Sequence, residues 1–253
     1  MTDPDSGLAL LRTAPLVLPP AFTGLVTAAP FDAADQACRL AEAGEAEAGT
    51  LLLEEREDLI AFAVVLAPTE PLATARRAFF VGMQALADAV GSFGPPEIPV
   101  TFHWPDTLNF NGARLGGGAL RWPEACDEAE VPDWLVFSAM LIVSKRAAGD
   151  PGLTPDSTAL EEEGFPADLR EALVESFARH LTKAFEIWSE DGFARSASRY
   201  LARLALPEGA RAAIEANGDA HVIRAWGISE ILPLRPALDA PTWRDPATGR
   251  VRL

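Results

Sequence analysis

An Asn-Gly pair and a run of three glycines stand close together in NFNGARLGGGAL, the stretch from Asn109 to Leu120. Asn-Gly between two apolar runs is the strongest short signal for a β-hairpin, because both residues accept the positive φ angles of a tight turn. The glycines Gly116, Gly117 and Gly118 have no side chains, so another group can approach that strand closely. A ligand could lie there, or a second segment of the chain.

The segments around this hairpin predict an α+β domain. The apolar run DWLVFSAMLIVSK predicts a strand in the middle of a sheet. IPVTFH predicts a short strand before Trp104-Pro105, and two apolar runs around the charged residues 54–58 predict another hairpin. Apolar spacing and composition predict helices over 32–48, 72–90, 165–188 and 193–204, with a short strand at 16–18.

The end of the chain differs from the part before it. Residues 207–253 contain many turn signals and two short apolar runs, 221–226 and 231–234. These predict a small all-β unit that packs on a main domain formed by residues 1–206, because about 45 residues bury too little surface to be stable alone.

Charge and composition limit the classes of function. The net charge of −16, with only 21 Lys and Arg, argues against a nucleic-acid partner, which needs a basic surface. No apolar run reaches the roughly 18 residues of a membrane span, and Asp3 and Asp5 replace the positive start of a secretory signal. We therefore expect an acidic cytoplasmic protein without a membrane partner. The three histidines lack metal-ligand spacing, and the two cysteines predict no metal cluster.

The order of these motifs resembles that of a known family. The succession of a strand, HWPD, the hairpin LNFNGARLGGGAL, DWLVFSAMLIV, STALEEEG, paired helices and a small β tail is similar to the biotin/lipoate protein ligases, specifically their biotin-ligase branch. The likeness covers most of residues 50–205. It implies a mixed or antiparallel sheet flanked by helices, of the class II synthetase type, with a small SH3-like barrel at residues 207–253.

The resemblance also implies chemistry. Family members activate biotin or lipoate with ATP and Mg²⁺ as an acyl adenylate, which then acylates a lysine of an acceptor protein domain. Arg114 stands where the ligases keep the catalytic lysine that bridges the substrate carboxylate and phosphate, so it is the predicted catalytic residue. The predicted ligand-binding residues are His103, Trp104, Asp106, Asn111, Gly116, Gly117 and Gly118.

Several positions depart from the biotin-ligase pattern. His103, Asp106 and Thr107 stand where the family has Lys, Asn and Asp around the Trp-Pro pair. The family's Gly-Arg-Gly-Arg loop, which closes over the adenylate phosphates, is replaced by LEEREDL, with one arginine among four acids. An acidic turn repels a phosphate.

Three hypotheses follow. The protein is a ligase that uses Arg114 to activate a small carboxylic acid such as biotin, lipoate or octanoate. Alternatively, it is a family relative that has lost adenylation and binds a small ligand or a partner. In the third, the glycines only let the hairpin pack against the long helix, and Arg114 pairs with Asp106. An octanoyltransferase working through Cys126 is disfavoured, because the acids beside that thiol suppress its thiolate.

Overall fold

The computed structural model describes residues 11–29, 31–149 and 154–253. These residues contain an eight-stranded sheet with the order β1-β2-β3-β4-β8-β7-β6-β5. All neighbouring strands are antiparallel except β2 and β3, which are parallel. The strands are β1 (Arg12–Thr13), β2 (Thr23–Ala28), β3 (Thr50–Glu55), β4 (Leu59–Leu66), β5 (Val100–His103), β6 (Thr107–Phe110), β7 (Ala113–Arg121) and β8 (Leu135–Ile142).

Helices lie on both faces of this sheet. They are α1 (Ala33–Glu42), α2 (Leu72–Ala75), α3 (Ala78–Gly91), α4 (Leu169–Asp191) and α5 (Phe193–Leu201). The parallel pair β2–β3 needs a crossover, and α1 supplies it. Asp32 caps α1, because its side chain accepts hydrogen bonds from the amides of Ala34 and Asp35.

The side chains of β4 alternate between the two faces of the sheet. Ile60, Phe62 and Val64 point to the main core, where they join side chains of α3 and α4. Leu59, Ala61, Ala63 and Val65 point to the other face, and α1 covers the part around Ala63 and Val65. The part around Leu59 and Ala61 is covered by Trp243 and Val251, from the end of the chain.

A small separate sheet follows the main domain. It has the antiparallel order β11-β10-β9, formed by β9 (Arg211–Ile214), β10 (Ala220–Ile223) and β11 (Ser229–Leu232), and is followed by α6 (Leu234–Asp239). The boundary at residues 206 and 207 and the SH3-like barrel stay predictions.

The structure confirms the α+β class and the central position of β8, the fifth of the eight strands. Some local predictions were wrong. The helix predicted over 72–90 is broken at Arg76 and Arg77, the first helix ends at Glu42, and the tail contains α6. No strand lies at 16–18, whereas β2 was missed. The aspartates at positions 3 and 5 lie outside the described residues. No helix in the described ranges is long and apolar enough to cross a bilayer.

Candidate functional site

The β6–β7 hairpin has the predicted turn. Asn111 and Gly112 both have positive φ, 53° and 81°, as a type I′ turn requires. The Asn111 amide donates a hydrogen bond of 3.2 Å to Glu163, which lies just before α4. The hairpin also touches this segment through the rings of Phe110 and Phe165, 5.1 Å apart. The tip of the hairpin is therefore fixed to the segment that leads into α4.

The three glycines of β7 face different neighbours. A methyl group on Gly116 would collide with the Met140 carbonyl oxygen on β8. One on Gly118 would lie 2.6 Å from the Met83 sulfur, on the side of α3. One on Gly117 would lie 2.5 Å from the indole of Trp243. Packing against α3 thus accounts for Gly118. Gly117 instead makes room for Trp243, which lies 126 residues further along the chain.

Residues 242–252, which we call the strap, run over this face of the sheet. The Trp243 indole is 1% exposed and donates a hydrogen bond of 3.1 Å to the Gly118 carbonyl oxygen. Val251 is also buried, and Arg244 forms an ion pair of 3.0 Å with Asp32, the cap of α1. The strap therefore touches β7, β4, β8 and the start of α1.

Asp106 lies beneath the start of the strap. Its carboxyl group is buried, and one oxygen accepts hydrogen bonds from the hydroxyls of Thr107 and Thr242 at 3.2 and 3.4 Å. The other oxygen, Oδ2, has no hydrogen-bond partner among the described residues. Burial raises the pKa of Asp106 from 3.8 to about 7, and the hydroxyl donors only partly oppose this effect. Its backbone carbonyl accepts from the Gly118 amide, which ties Asp106 to the glycine strand.

His103 and Trp104 flank the same turn but face elsewhere. His103 is exposed at the end of β5, while the Trp104 ring lies 5.8 Å from Phe80 and 6.2 Å from Tyr200 in the helical layer. The buried Tyr200 hydroxyl donates to the Pro105 carbonyl oxygen, at the cis Trp104–Pro105 peptide. These contacts support the turn that positions Asp106.

Arg114 is half-buried near the other end of β7. Its Nε donates a hydrogen bond of 2.9 Å to the carbonyl oxygen of Arg252, at the end of the strap. Its guanidinium forms no ion pair with a carboxylate of the described residues, so the predicted pairing with Asp106 is wrong. Burial lowers the pKa of Arg114, but a guanidinium stays charged at neutral pH. Arg114 therefore has no direct carboxylate partner among those residues, although the nearby Asp156 raises its pKa and Arg252 lowers it.

The β3–β4 connection is a tight acidic turn. Only residues 56–58 join the two strands. The Arg56 guanidinium donates to both oxygens of Asp58, at 2.9 and 2.7 Å, and to Glu54 at 3.3 Å. Burial raises the pKa of Glu54, and the bonds from Arg56 lower that of Asp58. The single cation of this turn is therefore already neutralised.

Two other groups that could carry chemistry are Lys145 and Cys126. Lys145 is buried, where it donates to the Ser157 carbonyl oxygen at 2.7 Å and pairs with Glu162 at 3.0 Å. The pKa of Cys126 is raised by desolvation and by nearby acids, including Glu130 and Asp127, as its acidic loop predicted. Neither contact set creates an activated nucleophile.

The structure brings Asp106, Gly117 and Gly118 together, and places Arg114 further along the same strand. It does not bring His103 or Asn111 to this face, since one is exposed at a strand end and the other lies at the hairpin tip. The sequence patterns did not predict a role for Trp243 or Thr242. A tryptophan within the turn-rich stretch APTWRDP was the available signal, because a large aromatic ring needs a place to be buried.

Comparison with known proteins identifies the family. Residues 18–202 match the model of the biotin/lipoate A/B protein ligase family, which is more than half of the chain. The chain belongs to this family. No curated protein sequence matches it at a significant level.

Solved structures of family members share the fold. A biotin protein ligase-like protein of unknown function from Silicibacter sp. TM1040 is 30% identical, with a TM-score of 0.74 over 87% of this chain and 98% of that one. The biotin protein ligase of Aquifex aeolicus is 18% identical, with a TM-score of 0.62 over 79% and 91%. The Leishmania major ligase in complex with biotin is 13% identical, with a TM-score of 0.53 over 85% and 99%. The last two show the fold alone.

Proposed function

We propose that this family member binds a small carboxylic acid at Arg114 without adenylating it. The observation that carries the proposal is the β3–β4 turn. Adenylation requires positive charge that stabilises the phosphates as the acyl phosphate bond forms. Here Arg56 is held by Glu54 and Asp58, Glu55 pairs with Arg12, and Glu57 adds negative charge. A phosphate at this turn would be repelled by Glu57 and would find Arg56 already bound to carboxylates.

Arg114 supports the binding half of the proposal. A guanidinium presents a planar fork of donors that matches a carboxylate. Of the three guanidinium nitrogens of Arg114, only Nε has a hydrogen-bond partner among the described residues, the Arg252 carbonyl oxygen. That oxygen occupies a position that a carboxylate oxygen of a ligand would otherwise take. The ligands to test first are biotin, lipoate and octanoate.

Family membership favours a competing function, an ATP- and Mg²⁺-dependent ligase. A biotin protein ligase of Aquifex aeolicus has been solved in complex with biotin and ATP. In that case Arg114 would bridge the acid and the phosphate, and a biotin- or lipoate-accepting protein domain would be the partner. The acidic turn argues against this, because its own arginine, Arg56, is bound by Glu54 and Asp58 and is not free for the β- and γ-phosphates.

Two assays separate these functions. Calorimetric titration with each acid should show binding to the wild type and a loss of about tenfold or more in Arg114→Ala. Arg211→Ala is the matched control, because Arg211 is an exposed arginine on β9. ATP–pyrophosphate exchange with Mg²⁺ should be absent with every acid. Exchange that depends on one acid and disappears in Arg114→Ala would establish the ligase and overturn our proposal.

A further inference from the structure

The strap competes for the groups that an acid would use. The Arg252 carbonyl oxygen accepts from Arg114, and the Trp243 ring fills the space in front of Gly117. Thr242 supplies a hydroxyl to the Asp106 carboxylate. A ligand that reaches Arg114 along the glycine strand must therefore displace this segment.

The strap has its own internal hydrogen bonds. The Arg252 amide donates to the Trp243 carbonyl oxygen, and the Asp245 amide donates to that of Arg250, both at 2.8 Å. Arg244 adds a side-chain bond to the Gly249 carbonyl oxygen, 2.5 Å long. These bonds close a small loop that keeps its contacts when it leaves the sheet, so it can move as one unit.

Its attachment to the sheet is limited. Only Trp243 and Val251 are buried, whereas most of the other strap residues are exposed. The polar fit beneath it is incomplete, because Oδ2 of Asp106 has no partner among the described residues and an unsatisfied buried oxygen is costly. Charge supplies part of the attraction, since the strap has three arginines and one aspartate while the whole chain has a net charge of −16.

We propose that the strap is a detachable cover that must leave the glycine strand before a carboxylic acid can bind at Arg114. This inference rests on the proposed function and adds its regulation. Opening exposes the face of Gly117 and frees the Arg114 Nε, while α3 and α4 keep the main core intact on the opposite face. The affinity for the acid is lowered by the fraction of molecules in which the strap is closed.

Trp243→Ala tests the proposal, with Trp226→Ala as the matched control, because Trp226 is 99% exposed. Arg244→Gln is a milder second variant that loses the ion pair with Asp32 but keeps the buried anchors. Limited trypsin digestion reports strap opening through cleavage after Arg250, a site that both variants keep. Calorimetry with biotin, lipoate and octanoate reports binding, and circular dichroism reports the fold of the body.

We expect Trp243→Ala to be cleaved faster in the strap and to bind the acid about tenfold more tightly, with Arg244→Gln intermediate. Trp226→Ala should match the wild type in both assays. Faster cleavage with unchanged or weaker acid binding would overturn the gating, since the strap would then be part of the site. If no variant binds any acid although cleavage is faster, the proposed acid binding fails and the gating with it. Cleavage in Trp243→Ala only when the whole body unfolds would show that the strap does not detach.

Discussion

The two faces of the large sheet are covered in different ways. On one face, the strand residues Phe62 and Phe137 pack against Phe177 of α4 and against α3 in a continuous core. On the other face, α1 covers one half and the strap covers the other. The strap lies on a strand of bare glycines, and its tryptophan donates to a main-chain carbonyl oxygen.

This difference means that one face determines the stability of the domain, whereas the other controls access to the glycine strand. Side chains that interlock on both sides cannot leave without unfolding the domain. A segment that lies on backbone, joined by two buried anchors and a few polar bonds, opens at a lower free energy than the whole domain. We therefore expect mutations on the two faces to have different costs.

The largest effect is expected on the helical face. Phe177 is fully buried, 4.6 Å from the Phe62 ring and stacked on Phe137 at 5.8 Å. Phe177→Ala should lower the free energy of unfolding by about 3–5 kcal/mol, because it leaves a cavity that the helices cannot close. Urea denaturation followed by circular dichroism measures this loss. A cost below about 1 kcal/mol would mean that this face is not the main core.

On the strap face, removing Trp243 should cost less stability than removing Phe177, although tryptophan is the larger side chain. Trp243→Ala should lower the free energy of unfolding by about 2 kcal/mol, because the loss cannot exceed the free energy that holds the strap to the sheet. The same urea titration gives this value, with Trp226→Ala expected to cost nothing measurable. A loss as large as that of Phe177→Ala would show that the strap folds as part of the core.

The smallest effect concerns Asp106 and depends on pH. Its folded-state pKa of about 7 lies above the ordinary 3.8, so the folded protein holds a proton that the unfolded chain releases. The unfolding free energy therefore falls as pH rises from about 4 to about 7. Above about pH 7, Asp106 causes no further change in it. Asp106→Asn removes that loss and should be more stable than the wild type by about 1–2 kcal/mol at pH 8, since strap opening relieves part of the cost.

Thermal or urea unfolding at several pH values measures the difference between Asp106→Asn and the wild type. The groups that face this carboxyl are the hydroxyls of Thr107, Thr242 and Tyr200. Tyr200 does not titrate in this window, because burial holds its pKa well above 10.0. Asp133→Asn, at an exposed position, is the control. A pH-independent difference would mean that Asp106 is not protonated in the folded state at neutral pH.

Local signals predicted the elements whose conformation depends on nearby residues. Asn111 and Gly112 accept positive φ angles by themselves, so the hairpin could be predicted without its surroundings. The break between α2 and α3 could not. Arg76 donates a hydrogen bond of 3.0 Å to the Asn217 carbonyl oxygen and pairs with Glu128, and these partners are distant in sequence. Helical spacing across 72–90 contains no information about them.

The candidate site shows the same division. The type and order of the glycines predicted a close approach to the strand, whereas Arg114 and Asp106 were predicted from the resemblance to the ligases. The sequence also revealed the acidic turn at 54–58, since charge can be counted without coordinates. Whether that turn leaves its arginine unpaired needed the contacts of Arg56 with Glu54 and Asp58.

By itself, the sequence determined the central strand β8, the hairpin with its bare strand and the acidity of the turn before β4, because each follows from neighbouring residues. Only the tertiary structure decided that Trp243 lies on Gly117, that Arg114 binds the carbonyl oxygen of Arg252, and that the pKa of Asp106 is raised. These features join residues more than 100 positions apart, and burial exists only once the chain has brought them together.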